Sequence, residues 1–241
     1  MHGYVDLHCH FLAGIDDGAR SDDEGLQMLQ KLAALGFERV VATPHMRPGM
    51  FDNDKRTLQA VFERMQPRLT SPTLPRTDLS SEHYFDDQVF ARILAGDGLP
   101  YPGGKAVLLE FYQVEFPPAV DVCFAKLRRS GILPVIAHPE RYQCLWKSLD
   151  RLERLVDGGA AALLDTAALA GKYGSVPQRC AEQILERELY HAACSDAHRP
   201  ADVDAVAAGI KRIKKLYGDD ECEFLFKTGP NELLAGRLPR D

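Results

Sequence analysis

The stretch AVLLEFYQVEFPPAVDVCFAKLRRSGILPVIAH, residues 106–138, reads as strand, helix, strand. A short apolar run ends at Glu110. The segment VDVCFAKLRRSG (120–131) then spaces its apolar residues at helical intervals and stops at Gly131, and ILPVIAH (132–138) is a second short apolar run ending at His138. Two strands separated by a helix cannot form a hairpin; they lie parallel, joined by a crossover. Downstream the rhythm repeats, with a helix in KSLDRLERLVDGG (147–159), a strand in AALLDT (161–166) and a helix in PQRCAEQILERE (177–188). The segment LYHAACSDAH (189–198) reads as a strand ending in Asp196 and His198. An amphipathic helix, DVDAVAAGIKRIKKLYG (202–218), and a short terminal one, PNELLAG (230–236), close the chain.

Working back toward the N-terminus, DLHCH (6–10) alternates like a strand, placing Asp6, His8 and His10 on one side and Val5, Leu7 and Cys9 on the other. A Gly- and Asp-rich loop, FLAGIDDGAR (11–20), follows. Ser21 and Glu24 form a capping box for a helix that stops at Gly36, and RVVATPH (39–45) is a strand cut off by Pro44 ahead of His45. Residues 54–69 read as helix, TSPTLPRT (70–77) as a surface connection and DLSSEHYF (78–85) as a strand. About seven strands alternating with helices predict an α/β fold, an irregular (β/α)7 barrel in a single domain over residues 1–241.

Composition narrows the function classes. Hydrophobic residues make up 45% and charged residues 27% of the 241 positions, ordinary for a globular protein. No apolar run approaches the roughly 20 residues of a membrane span. A net charge of −6 argues against a nucleic-acid partner, and the N-terminal stretch lacks the pattern of a secretory signal, which predicts a cytoplasmic protein. The six cysteines are scattered without C-x-x-C pairing, so they read as reduced thiols. Cys123 and Arg129 match the C-x5-R spacing of cysteine-dependent phosphatases. The intervening FAKLR contains no glycine to wrap an anion with backbone N–H groups, so Cys123 reads as a core residue of a helix.

The polar residues that remain converge. His8 and His10, His45, Glu110, His138, and Asp196 with His198 all fall at or just past the ends of predicted strands, the edge where barrels place their chemistry. Imidazole and carboxylate oxygen without clustered thiolate suit Mn, Fe, Co or Zn, and these candidates are too many for one ion, so two or three fit better. Metals about 3.5–4 Å apart around a bridging hydroxide support in-line attack on phosphorus. Arg141, three residues after His138, and Arg199, directly after His198, could engage phosphoryl oxygens through planar guanidinium groups. For Arg141 the alternative is a pairing with Glu140 or a loop carboxylate. Arg47 and the RPGMF loop (47–51) suggest a rim or lid. His2 and His191 match no motif and read as surface or local hydrogen-bonding residues.

DLHCH, GIDDGA, ATPH, LLEF, PVIAHPERY, GKYG and CSDAH together resemble the PHP superfamily, and within it the bacterial manganese-dependent protein-tyrosine phosphatases that regulate capsule and exopolysaccharide synthesis. The resemblance spans nearly the whole chain. It implies an irregular barrel of seven β/α units of the PHP type and a trinuclear centre. The implied ligands are His8, His10, Asp17, His45, Glu82, Glu110, His138, Asp196 and His198, with Glu110 as a bridge and Mn²⁺ as the first expectation. Asp17 rather than Asp16 is chosen by the resemblance, and His83 competes with Glu82 because SSEHYF lacks the family's usual lead. The family's phosphate-binding arginine stands farther beyond the last histidine than Arg199 does. The function implied is hydrolysis of phosphotyrosine on a protein, a bacterial tyrosine kinase controlling polysaccharide export, by metal-bridging hydroxide. The alternatives are a small-molecule phosphomonoesterase, as for histidinol phosphate, and a noncatalytic binding module, which would lack ligands.

Overall fold

In the computed structural model, which describes residues 3–238, the strands are β1 Tyr4–Cys9, β2 Phe37–Ala42, β3 His45–Met46, β4 Arg76–Leu79, β5 Glu82–Tyr84, β6 Ala106–Glu110, β7 Leu133–Ala137, β8 Ala161–Asp165 and β9 Ala192–Cys194. They form two all-parallel sheets, ordered β1-β2-β4 and β3-β5-β6-β7-β8-β9. The sequence predicts about seven strands, and the surplus arises from two breaks. Thr43–Pro44 interrupts one strand line between β2 and β3, because proline has no N–H to give the ladder; Ser80–Ser81 interrupts the next between β4 and β5. The breaks remain bonded to each other, with Ser80 N donating to Ala42 O (2.8 Å), Glu82 N to Pro44 O (3.2 Å) and Ser81 Oγ to Pro44 O (2.8 Å). Read through the breaks, seven strand lines follow one another. The last meets the first through a parallel bridge between Cys9 and Ala197, with Asp196 N donating to His8 O and His10 N to Ala197 O, both at 2.9 Å. The result is an irregular (β/α) ring rather than one continuous barrel sheet.

Eight helices connect and cover the strands among the described residues: α1 Asp22–Ala34, α2 Lys55–Met65, α3 Asp87–Ala95, α4 Val120–Arg129, α5 Asp150–Asp157, α6 Ser175–Glu186, α7 Asp202–Glu223 and α8 Gly229–Leu234. Ser21 caps α1, its Oγ accepting from Glu24 N, as the capping box predicts. α3 has no counterpart in the sequence reading, although its stops were present: Asp86 accepts from Val89 N at one end and Gly96 takes φ 84° at the other. The helix expected to end at Gly218 does break there, where the backbone turns non-helical (φ 89°, ψ 176°), and a second helical stretch runs on to Glu223.

Two apolar clusters follow from strand alternation. Inside the ring Val5, Leu7, Val41, Leu108, Val135, Ala137, Leu163 and Cys194 pack with Leu233 and Leu234 of α8. Outside it Val40, Val107, Leu109, Ile136, Ala162 and Ala193 meet helix residues such as Leu29, Phe124, Leu127, Leu152 and Ile184. The strict two-sided reading of residues 5–9 is corrected here. A register shift between Asp6 and Cys9 leaves Val5 and Leu7 in the inner cluster and Cys9 in the outer one, as expected where a bulge re-aims side chains. His191 is buried and its Nδ1 accepts from Ala162 N (3.2 Å), a local bond rather than a surface position; His2 lies outside the described residues. Among the described residues no helix is long and apolar enough to cross a membrane.

Leu163 is fully buried in the inner cluster. Leu163→Ala should lower unfolding free energy by about 2–5 kcal/mol, measured by urea denaturation of the two chains side by side.

Candidate metal centre

Every sequence-selected polar residue on the list of candidate ligands comes from the C-terminal edge of the ring. His8 lies in β1 and His10 just beyond it, His45 opens β3, Glu82 opens β5, Glu110 ends β6, His138 follows β7, and Asp196 and His198 follow β9. Asp17 comes from the loop after β1. The nine fall into four overlapping groups whose donor atoms lie within 4.8 Å of one another: His10, Asp17, His45 and His198; His8, His10 and Glu82; His8, His138 and Asp196; His45, Glu82 and Glu110. His8, His10, His45 and Glu82 each belong to two groups, so the groups share walls.

Glu82 sits at the middle. Its Oε1 lies 2.9 Å from His138 Nε2, and its Oε2 lies 3.0 Å from His45 Nδ1, 3.3 Å from His8 Nε2 and 3.6 Å from His10 Nε2. Adjacent His83 does not compete: the next residue along a strand faces the other way. Its Nδ1 donates to Leu108 O and its Nε2 accepts from Leu99 N, each at 3.0 Å. His138 and Asp196 have φ of 33° and 42°. Positive φ is uncommon outside glycine, although Asp and His are among the residues that adopt it most readily, and such positions concentrate where function requires a direction the strand would not give.

The loop after β1 divides its two aspartates between tasks. Asp16 Oδ2 accepts from His10 Nδ1 (2.8 Å) and His45 N (3.1 Å), while its Oδ1 accepts from Gly18 N (2.8 Å). A proton on His10 Nδ1 leaves Nε2 as the free donor atom, 3.0 Å from His8 Nε2. Asp17 Oδ1 instead stands 3.4 Å from both His45 Nε2 and His198 Nε2. Arg199 ties this loop down, its Nη1 donating to the carbonyls of Asp17, Gly18 and His198. Arg141 meets a loop carboxylate, as one reading of the sequence anticipated: its Nη1 donates to Asp196 Oδ2 (2.7 Å) and its guanidinium lies 4.7 Å from the Tyr173 ring centre.

Several supporting residues escaped the sequence reading. Asp6 Oδ1 accepts from Ser195 N (2.9 Å) and His8 N (3.2 Å), pinning the β1–β9 junction. Glu140 accepts from Tyr190 OH (2.8 Å) and Asp165 N (3.1 Å) beneath Arg141. Asp16 was visible only as the neighbour of Asp17. Tyr173 lay within GKYG, a motif that carried the resemblance but had no assigned task.

Burial and neighbouring charge set the protonation states. Burial disfavours a charged His45, but Glu82, Asp17 and Glu110 outweigh it and hold its imidazole at about 11; Asp17 and Asp196 likewise overcome burial to raise His198 to about 9. Hydrogen bonds from His198 and His45 drive Asp17 far down. Glu82 and Asp196 are held well below the carboxylate range because surrounding imidazoles, with Arg141 in the case of Asp196, overcome their burial. Burial and repulsion from Glu82 push Glu110 up to about 7. His138 is pulled down to about 4 by burial and by Arg141, despite its bond to Glu82, so it is neutral at pH 7.

This donor set fits a cluster of divalent cations. It consists of imidazole nitrogen and carboxylate oxygen, and buried Glu110 Oε2 and Asp196 Oδ1 make no hydrogen bond of good geometry, the condition that coordination removes. The decoy cysteine fails by the same standard. Burial raises the Cys123 thiol, and the residue sits within α4, where no loop wraps an anion.

Residues 4–235 match the family described as Capsular polysaccharide synthesis, CpsB/CapC. The chain is 29% identical over 195 residues to the tyrosine-protein phosphatase YwqE of Bacillus subtilis, covering 80% of this chain and 77% of that one. It is 27% identical over 248 residues to the tyrosine-protein phosphatase CpsB of Streptococcus pneumoniae, covering 97% and 99%. Among solved structures it matches one from work on YwqE and CpsB, described there as unique metal-dependent tyrosine phosphatases, at TM-score 0.87 and 27% identity over 97% and 95% of the chains. A lactonase from Listeria monocytogenes shares the fold, at TM-score 0.58 and 9% identity.

Two outcomes follow for the centre. At pH 7 His45 and His198 hold protons in the cation-free chain, so a divalent cation must displace them. Calorimetry in buffers of different ionisation enthalpy should show net proton release on Mn²⁺ binding, and affinity should tighten as pH rises toward 9. A Cβ on Gly18 would fall 2.3 Å from His10 O and 2.8 Å from Asp16 Oδ1. Gly18→Ala should therefore weaken Mn²⁺ binding about 10–100-fold, read by the same titration.

Proposed function

The chain belongs to the capsular polysaccharide synthesis family CpsB/CapC, and from that premise we propose that it is a metal-dependent protein-tyrosine phosphatase whose substrate is a phosphotyrosine-bearing protein. The observation that carries the reading is the meeting of nine imidazole and carboxylate side chains in overlapping groups within 4.8 Å. On this reading His8, His138 and Asp196 would hold one ion, His45, Glu82 and Glu110 a second, and His10, Asp17 and His198 with His45 a third. Mn²⁺ is the proposed resident, in two or three copies per chain. When bound, such ions supply a water acidic enough to lose its proton near neutral pH and positive charge for the departing oxygen.

The chain's own residues do the rest. Asp196 and the Tyr173 ring fix the Arg141 guanidinium at the edge of the centre, and its remaining N–H groups are the proposed hold on the phosphoryl oxygens. Arg199 spends one nitrogen on three loop carbonyls, which supports a positioning role for it beside any contact its other N–H groups make with phosphate. The nucleophile is water, so no cysteine is needed and no covalent enzyme intermediate forms.

A bacterial tyrosine kinase that controls capsule or exopolysaccharide assembly is the proposed partner, because the relatives are tyrosine phosphatases and the family is one of capsule synthesis. The cytoplasm is the proposed compartment. Six cysteines stand unpaired at positions 9, 123, 144, 180, 194 and 222, which suits reducing surroundings. The entire chain is proposed to act as one domain.

Turnover of a phosphotyrosyl peptide should vanish on chelation, return with Mn²⁺ and survive thiol alkylation. Loss on alkylation with survival of chelation would transfer the chemistry to a cysteine and defeat the proposal. His138→Ala should lower kcat/KM by at least about 100-fold, beyond what removing a mere supporting partner does, with little change in thermal unfolding.

A further inference from the structure

A cavity of about 310 Å³ opens beside the centre, lined by Arg47, Tyr84, Glu110, Phe111, Tyr112, Gln113, Val114 and Gln143. Glu110 belongs to both places: it lines the cavity, and its Oε2 lies 3.7 Å from His45 Nδ1 in the candidate centre. We propose that this cavity seats the aryl group of the phosphate ester, with Tyr84 and Tyr112 as its selecting walls and Arg47 closing one side. The inference rests on the phosphatase reading above and adds to it what the site selects.

Size is the first argument. The volume, about 310 Å³, is at the lower end of ligand clefts, which run from about 300 Å³ upward, and it has room for one ring and the chain that carries it. The lining is the second. It is mixed: Tyr84 and Tyr112 offer ring faces, with Val114 beside them and Phe111 buried behind, while Gln113, Gln143, Glu110 and the tyrosine hydroxyls make more of the exposed wall polar than apolar, and Arg47 is the only cation among the lining residues. An aromatic ring can stack against the two tyrosine faces, which a short alkyl chain cannot do, and a second phosphate would meet only one guanidinium.

The third argument is that the walls are held. Phe111 N donates to Tyr142 OH (3.2 Å) and Gln143 N to Gln113 O (2.7 Å), which fixes the segment after β6 against the turn after β7. The Arg47 guanidinium lies 4.1 Å from the Tyr84 ring centre. Arg47 N donates to Phe51 O (3.1 Å), closing a small hairpin whose Phe51 ring stacks on His45 at 5.2 Å. The RPGMF segment is thus a built rim between the cavity and the cation ligands. Tyr112 and Val114 are 59% and 43% exposed, and they extend an apolar lip from the cavity to the surface, where a polypeptide carrying the ring would continue. The opposite edge of the centre, at Asp17 and His198, is bordered instead by the charged side chains of Arg199 and Glu24.

The test compares phenyl phosphate with n-propyl phosphate on the Mn²⁺-loaded chain, and phenylphosphonate with methylphosphonate as competitive inhibitors. Tyr84→Ala should reduce the phenyl-to-propyl ratio of kcat/KM about tenfold and raise the inhibition constant of phenylphosphonate relative to methylphosphonate by a similar factor. Tyr112→Ala, at an exposed position, repeats the measurement without risk to folding and should move both ratios in the same direction by a few-fold. Normal turnover of both esters with both ratios unchanged in the two folded variants would overturn the aryl seat and leave the phosphatase reading standing. A wild-type chain that hydrolyses neither ester would overturn both.

Discussion

The Glu82 carboxylate is the constraint on which the rest of this structure depends. It is almost wholly buried, 1% exposed, and an isolated charge in that position would be strongly disfavoured. Four imidazoles from three other strand lines approach it within 3.6 Å, and the charge on His8 and His45 with the hydrogen bond from His138 keeps it ionised. The arrangement is reciprocal. Each histidine is buried as well, and pairing of charge with hydrogen bonding, or cations in place of protons, makes the cluster tolerable. A core built around such a group has a functional rather than a stabilising logic, because apolar side chains of the same volume would pack there at lower free energy.

Holding that cluster demands departures from regular geometry, and they occur where the ligands are delivered. β1 slips register between Asp6 and Cys9; two strand lines break, at Thr43–Pro44 and Ser80–Ser81, directly before His45 and Glu82. His138 and Asp196 adopt left-handed backbone immediately beyond β7 and β9. Each departure turns a side chain inward at the C-terminal edge of the ring. A second layer then fixes the direction: Asp16 on His10, Asp6 on the β1–β9 junction, Asp202 accepting from the N–H groups of His198 and Arg199.

The same edge organises what surrounds the centre. The hairpin at 47–51 stacks Phe51 on His45 and places Arg47 over Tyr84, so one short loop borders both the ion ligands and the neighbouring aromatic cavity. Arg141, between Asp196 and Tyr173, occupies another side. On the proposed reading, the ion ligands and the seat for an aromatic ester are thus adjacent surfaces of one rim.

Strand–helix alternation is a local property of apolar spacing and stop residues, so the sequence alone determined the α/β class, the near-seven strand lines and the position of most candidate ligands at strand ends. His8 and His10, His45, Glu110, His138, Asp196 and His198 were legible because each stands at a change from apolar run to loop. Short breaks, a register slip and the extent of β9 were not legible, since they are set by neighbouring strands rather than by the residues themselves. The choice between Asp16 and Asp17, or between Glu82 and His83, belongs to tertiary structure for the same reason. Adjacent residues of one chemistry differ only in what faces them, and the partners that decide it, His10, His45, His198 and Leu99, come from distant parts of the chain.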